Sequence, residues 1–385
     1  MNSFYYELPV RVHFGELCID ELTEVLGEYG PNVLLSYGGG SIKKNGIYDD
    51  MTAVLRKAGK NVFEFSGIMP NPTYAKAQEG AALIREHAID VVLAVGGGSV
   101  LDCSKAAVWQ AAMDEDLWEG QLQRGRYPEN PIPLLAVLTA AGTGSEMNKE
   151  AVITNEELGI KESLYGSYPE HSFLRPSYTM SLPMKQFISG AFDSLSHCME
   201  TYFGGPRRII VSDELNESVM RSIIRNLRLA IAHPEDLEPR SELIWDSSLA
   251  ETGILKIGKQ TDFQAHQIEH QLGAFTDCNH GFGLSAIHAE MYRRIYKGDV
   301  ARFARFAREV FGIDPSDRTE DALALAGVGA LEDFIREIGL PTHLSEIDIT
   351  DEEILRKTAE TCNLSEGCCT HLSREEIFEL LKACM

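Results

Sequence analysis

The chain is 385 residues long, enough for two or three domains, and its 44% apolar and 24% charged composition is that of an ordinary globular enzyme, not of a collagenous or disordered chain. Thirty-five basic against 58 acidic side chains leave a net charge of −23, so a general nucleic-acid-binding field is excluded and any phosphate has to be held by a local device. Apolar runs such as 91–95 fall far short of the ~20 residues that span a bilayer, and Met1–Glu7 lacks the basic-then-apolar form of a signal peptide, so a cytoplasmic protein with no membrane partner is expected.

Between about residues 31 and 180, short β-rich runs alternate with helical stretches, the pattern of a parallel sheet with crossover helices. Asn32 to Tyr37 reads as one strand, and Asp90 to Val95, with no polar alternation, as a strand covered on both faces. Pro133 to Leu138 is a third, and 73–87 is a helix. After Ser181-Leu182-Pro183 the strand signals nearly vanish, and apolar residues recur at helical spacing through 184–203, 212–233, 241–258, 262–274 and 283–296. Ser373 and Glu376 fit a capping box that opens a last helix. The predicted division is an α/β domain over 1–183 and a helical domain over 184–385.

Eight cysteines (Cys18, Cys103, Cys198, Cys278, Cys362, Cys368, Cys369 and Cys384) are too dilute for a disulfide scaffold and contain no C-x-x-C pair. They read as reduced thiols. Cys198 and Cys278 lie near the histidines discussed below, but small buried residues are the simpler reading.

Two glycine clusters follow strands: Gly38-Gly39-Gly40-Ser41 after the first, and Gly96-Gly97-Gly98-Ser99 after the central one, where Val100 to Lys105 opens a helix. Glycine admits positive φ and close approach of a ligand, and free N–H groups at a helix start attract an anion. Two such turns at the carboxyl ends of parallel strands predict a pyrophosphate cradle, because ligands of open α/β sheets bind there. Neither matches the G-x-G-x-x-G or P-loop spacing. A third cluster, Thr139-Ala140-Ala141-Gly142-Thr143-Gly144, offers hydroxyls and small residues suited to a ribose, phosphate or nicotinamide.

Asp193 and His197 are four apart on a predicted helix, hence on one face and close enough to share a metal. His266 and His270 repeat that spacing, and His280 follows ten residues later. One oxygen and several imidazoles suit Fe²⁺ or Zn²⁺. Spacing alone leaves open whether His266 or His270 is the ligand. The other histidines, His13 and His171 among them, form no comparable group.

Taken in order, Tyr37 to Lys44, Pro70-Asn71-Pro72-Thr73, Gly96 to Ser99 with Asp102 and Lys105, Gly142 to Glu146, Gly190 to His197, and His266-x3-His270-x9-His280 resemble the iron-containing (group III) alcohol dehydrogenase family, especially its NADPH-dependent butanol dehydrogenase and aldehyde reductase branch. The resemblance implies a dehydroquinate synthase-like fold, an α/β dinucleotide-binding domain followed by a helical one, with metal and substrate in the cleft between them. It implies reversible hydride transfer between a nicotinamide and a small aldehyde or primary alcohol, in a homodimer. Carried over by motif, the metal ligands are Asp193, His197, His266 and His280, and His270 falls to the proton path. Gly38, Gly39, Gly40, Ser41, Asn71, Gly97, Gly98, Ser99, Asp102, Thr139, Thr143, Lys161 and Leu182 fall where such enzymes touch the cofactor. NAD-selective members place an aspartate within the first cluster. Here that cluster is uncharged and Lys43-Lys44 follow, which favours NADP(H) over NAD(H). Arg175-Pro176 stands where the family usually has Asp-Pro, and 263–271 is unusually polar. The rival on the same superfold is a glycerol dehydrogenase-like or dehydroquinate synthase-like enzyme of a polyol or phosphorylated substrate, for which the basic candidates near Asp193 are Lys185, Arg207 and Arg208.

Overall fold

A computed structural model of the protein describes residues 2–365 and 369–385, so Cys368 lies outside the described residues. The chain divides into two compact units, Glu7–Pro183 and Met184–Met385 together with Met1–Tyr6. The division expected from sequence put those first six residues with the sheet instead.

The first unit runs β1 (Arg11–Phe14), α1 (Cys18–Leu26), β2 (Asn32–Tyr37), α2 (Ser41–Lys44), α3 (Ile47–Lys57), β3 (Asn61–Phe65), α4 (Tyr74–Glu86), β4 (Val91–Gly96), α5 (Gly98–Ala111), α6 (Leu117–Arg124), β5 (Leu134–Leu138), β6 (Glu150–Asn155), β7 (Ile160–Tyr165) and β8 (His171–Leu174). Its sheet has the order β1-β8-β5-β4-β2-β3 with every pair parallel. All six residues of β4 are buried, and Leu93 pairs with Leu35 on one side and Leu135 on the other. The three predicted strands and the helix over 73–87 are therefore present.

Sequence reasoning missed β1, β3 and β8, and it missed β6 and β7 altogether. The last two form a separate antiparallel ribbon, Glu150 facing Tyr165, which departs from the expected run of parallel strands. Its turn includes Gly159 at φ 65°. The ribbon's polar alternation (Lys161, Ser163) gives little apolar periodicity to read.

The second unit is helical: α7 (Met184–Tyr202), α8 (Val211–Ala232), α9 (Leu237–Glu251), α10 (Gln264–Thr276), α11 (His280–Ile295), α12 (Val300–Glu309), α13 (Glu320–Glu337), α14 (Glu352–Thr361) and α15 (Arg374–Ala383). The helix expected over 241–258 stops at Glu251, because Gly253 takes φ 81° and a short 3-10 turn follows. The capping box at α15 is present: Ser373 N donates to Glu376, and Glu376 N donates to the Ser373 hydroxyl. The carboxyl end of α7 is fixed by two cations, since Lys259 Nζ (3.0 Å) and Arg302 Nη1 (2.8 Å) both donate to the Tyr202 carbonyl. Among the described residues no helix is long and apolar enough to cross a membrane, and the seven described cysteines are free thiols.

One buried acid of α9 gives this unit a pH-dependent stability. Burial pushes the Asp246 carboxyl up to about 7, against the opposing hydrogen bonds of Ser222 and Asn226. The folded value lies above the unfolded one of ~4, so stability is lost progressively as pH rises from ~4 to ~7 and stays reduced above it. Asp246→Asn removes that penalty, and we expect it to gain roughly 2–4 kcal/mol near pH 8 and nothing near pH 4. Urea unfolding at both pH values checks this, and an equal gain at both rules it out.

Candidate metal centre and dinucleotide cradle

The cradle residues come together at one end of the sheet. β2 and β4 are neighbours, and the chain leaves them toward opposite edges, so Gly38–Ser41 and Gly97–Ser99 flank the point where strand order reverses. A Cβ on Gly38 would lie 3.7 Å from a Val100 methyl, which shows how closely the two loops pack. The third loop joins them: Thr139 N donates to the Gly96 carbonyl (3.0 Å), and a Cβ on Gly97 would lie 3.0 Å from Ala140 Cβ. A Cβ on Gly98 would overlap the Thr143 side chain. Small residues are needed here by packing before any ligand is considered.

The backbone corrects one expectation. Positive φ belongs to Gly40 (99°), whereas Gly97 is extended at φ −91° and serves as N-cap of α5. No side chain caps that helix start, which leaves its first N–H groups without a side-chain acceptor. Gly39 has nothing within 4 Å of an added Cβ.

Lys161, from the unpredicted ribbon, donates to Asn71 Oδ1 (3.0 Å), and Asn71 itself sits at φ 50°, so these two candidates are adjacent although 90 residues apart. Asp102 is differently engaged. Its Oδ1 accepts from the Ser145 hydroxyl and its Oδ2 from Val152 N (3.0 Å), while Lys105 Nζ donates to Ser145, Asn148 and the Glu150 carbonyl. Asp102 thus braces α5 against the third loop and β6. Leu182 N donates to the Thr179 carbonyl (3.1 Å) in the turn that ends the unit. Arg175 meets Glu16 (3.2 Å) and Asp50 (3.6 Å) and lies over the Tyr178 ring, a local brace at the turn where the family usually has aspartate.

In the helical unit, α7 places Asp193, His197 and Glu200 on one face through 4- and 3-residue steps. α10 carries His266, Glu269 and His270, and His280 is the first residue of α11, whose N-cap is Asn279. Three imidazole Nε2 atoms converge on Asp193 Oδ1, from His280 at 3.3 Å, His266 at 3.4 Å and His197 at 3.7 Å. Asp193, His266 and His280 form one tight donor group, and His197 stands beside it. His270 groups with Glu269 and His280, its ring 5.4 Å from that of His280.

Ligand bonds of ~2.0–2.2 Å in tetrahedral array put neighbouring donor atoms about 3.3–3.6 Å apart. The observed separations match or lie just outside this range. Asp193 Oδ1 and His266 Nε2 are moreover buried without a hydrogen-bond partner among the described residues, a costly state that a cation relieves. The residues therefore fit a divalent ion, and an oxygen with imidazole nitrogens suits iron or zinc.

The electrostatics agree. Burial would raise the Asp193 carboxyl, but the imidazoles of His197 and His280 outweigh it and hold it well below the usual range. Burial would lower His266, yet Glu200 and then Asp193 lift it to about 10, and Glu269 and Asp193 likewise raise His280. His197 stays low because burial outweighs Asp193 and Glu251. Cation binding thus competes with protons for the same nitrogens.

Sequence reasoning missed the carboxylates behind the imidazoles. Glu200 contacts His266 Nδ1, Glu269 contacts His280 Nδ1, and Glu251 lies 3.7 Å from His197 Nδ1. The i+7 step from Asp193 to Glu200 was the one available signal. Cys198 is buried and its thiol is pushed up by that burial, while Cys278 Sγ lies 3.8 Å from Glu269.

Comparison with known proteins gives matches over nearly the whole chain. The model of the family described as iron-containing alcohol dehydrogenase matches residues 9–176, and that of the Fe-containing alcohol dehydrogenase family C-terminal domain matches 187–385. NADH-dependent butanol dehydrogenase B of Clostridium acetobutylicum is 35% identical, with 99% of this chain and 98% of that protein covered. The NADPH-dependent aldehyde reductase YqhD of Escherichia coli is 31% identical, over 92% and 91% respectively. The crystal structure of NADH-dependent butanol dehydrogenase A of Thermotoga maritima superposes with a TM-score of 0.94 at 34% identity, covering 100% of this chain and 99% of that one.

Proposed function

The chain belongs to the iron-containing alcohol dehydrogenase family and is an NAD(P)-dependent alcohol dehydrogenase; on that premise we propose that it interconverts a small aldehyde and its primary alcohol with NADP(H) in preference to NAD(H), using one Fe²⁺ or Zn²⁺ held by Asp193, His197, His266 and His280. The observation that carries this reading is the convergence of three Nε2 atoms on the partnerless Asp193 Oδ1. When bound, the ion supplies Lewis acidity toward the substrate oxygen and the nicotinamide supplies the hydride. Gly38 to Ser41 and Gly97 to Ser99 hold the pyrophosphate through backbone N–H groups and the uncapped start of α5. Asn71 and Lys161, joined to each other, meet the cofactor as a unit. His270, buried beside His280, carries the proton, since an imidazole can accept a proton on one nitrogen and donate from the other.

Coenzyme choice follows from the first loop. The position at Gly39 is open and uncharged, so nothing there repels a 2′-phosphate. Lys43 adds less than its charge suggests, because it lies 3.4 Å from Glu64 and over the rings of Tyr37 and Tyr48. Gly39→Asp is accommodated without a clash, and we expect it to shift the kcat/KM ratio toward NAD(H) tenfold or more, ~1.4 kcal/mol. An unaltered enzyme that already prefers NADH overturns the preference. The reading as a whole is tested by metal analysis of anaerobically purified protein together with an NADPH-oxidation screen over aldehydes of increasing chain length. Protein that binds NADPH but holds no metal and turns over no aldehyde refutes it.

A further inference from the structure

We propose that Glu200 and Glu269 are the positioning residues of the metal centre, each fixing one imidazole so that its Nε2 lone pair faces Asp193; the inference rests on the metal reading above. An imidazole that donates from Nδ1 must present Nε2 as its acceptor, so a carboxylate at Nδ1 sets both tautomer and ring orientation. Glu200 contacts His266 Nδ1 and Glu269 contacts His280 Nδ1, and both carboxylates are buried. The two imidazoles so held are the ones that join Asp193 in the tight donor group. His197 stands beside that group, and its Nδ1 has no hydrogen-bond partner among the described residues, with Glu251 drawn instead to Lys256 at 2.9 Å. Placement of the donors therefore tracks whether a carboxylate grips the far nitrogen.

Glu200 has a second task that makes it less replaceable than Glu269. The N-cap of α10 is Phe263, whose side chain cannot accept a hydrogen bond and whose φ of 56° is strained for an aromatic residue. The donors at that helix start are met from α7: Ala265 N donates to Glu200 Oε1 (2.5 Å) and His266 N to Glu200 Oε2 (3.2 Å). With His266 Nδ1, three donors converge on one carboxylate, and a glutamine there would have to turn an amide N–H toward one of them. Glu269 meets His280 Nδ1 with one oxygen and the weak Cys278 thiol with the other, so a glutamine keeps the acceptor that matters.

The test is the affinity of the full-length metal-stripped protein for Zn²⁺, measured by competition with a chromophoric chelator, and the visible spectrum of the Co²⁺-loaded forms. Glu269→Ala is expected to weaken Zn²⁺ binding about 10- to 100-fold and to shift the Co²⁺ bands, while Glu269→Gln stays near the unaltered protein. Glu200→Gln is expected to weaken binding about as much as Glu269→Ala does. Zn²⁺ affinities of Glu269→Ala and Glu200→Gln equal to that of the unaltered protein, both variants being folded by circular dichroism, overturn the inference and leave the metal reading standing. An unaltered protein that binds no Zn²⁺ overturns both.

Discussion

Asp193→Ala and His266→Ala are each expected to yield protein that holds no metal after dialysis and has lost at least ~10³-fold in kcat/KM, about 4 kcal/mol of transition-state stabilisation. Asp193 Oδ1 is the atom on which the three Nε2 atoms converge, so its removal takes away the one anionic donor and the point about which the others are arranged. Truncation of His266 removes a buried, partnerless nitrogen and takes from Glu200 one of its three donors. His270→Ala is expected to keep its metal. His270 groups with Glu269 and His280, outside the set built around Asp193, so its loss lowers turnover through the proton path alone. Metal content by mass spectrometry is decisive, and the ligand assignment falls if His270→Ala loses the ion while His266→Ala retains it.

Gly97→Val is expected to abolish measurable cofactor binding, with NADPH affinity falling at least ~100-fold, or ~2.7 kcal/mol. The reason is steric. Gly97 is extended, a conformation valine adopts readily, but its Cβ would already press on Ala140 at 3.0 Å, and the two further methyls have to displace the third loop or fill the space in front of α5. Overpacking of this kind costs typically ~1–3 kcal/mol, which the buried β4 and α5 can absorb without unfolding. Fluorescence titration with NADPH, alongside far-ultraviolet circular dichroism, gives the answer. Unchanged affinity in a folded variant would mean that the loop is only a turn.

How far the site is legible in the sequence depends on how local its signals are. The glycine loops and the Asp193/His197 and His266/His270 pairs are visible because each lies within a few residues on one element, where spacing fixes relative direction. The ribbon that supplies Lys161 left no such trace, being short, half polar and outside the main sheet. The gain of Glu200 as a cap for α10 also escaped, since Phe263 and Gln264 carry no N-cap signal of their own.

The sequence by itself determined the succession of an α/β unit and a helical one and the elements with a strong side-chain period, from the unbroken apolar run of β4 to the helical periodicity after Pro183, because side-chain period is a property of consecutive residues. It also determined the chemical inventory, an oxygen with several imidazoles and glycine turns after strands. Only the tertiary structure decided which of these groups meet. It chose His266 over His270 as the nitrogen facing Asp193, since residues four apart share a helix face and only the packing of α7, α10 and α11 tells them apart. It joined Glu200 to His266 across 66 residues and Asn71 to Lys161 across 90, and it made Asp102 a brace within its own unit. Such contacts depend on how elements stack, and that is set by the burial of many side chains at once.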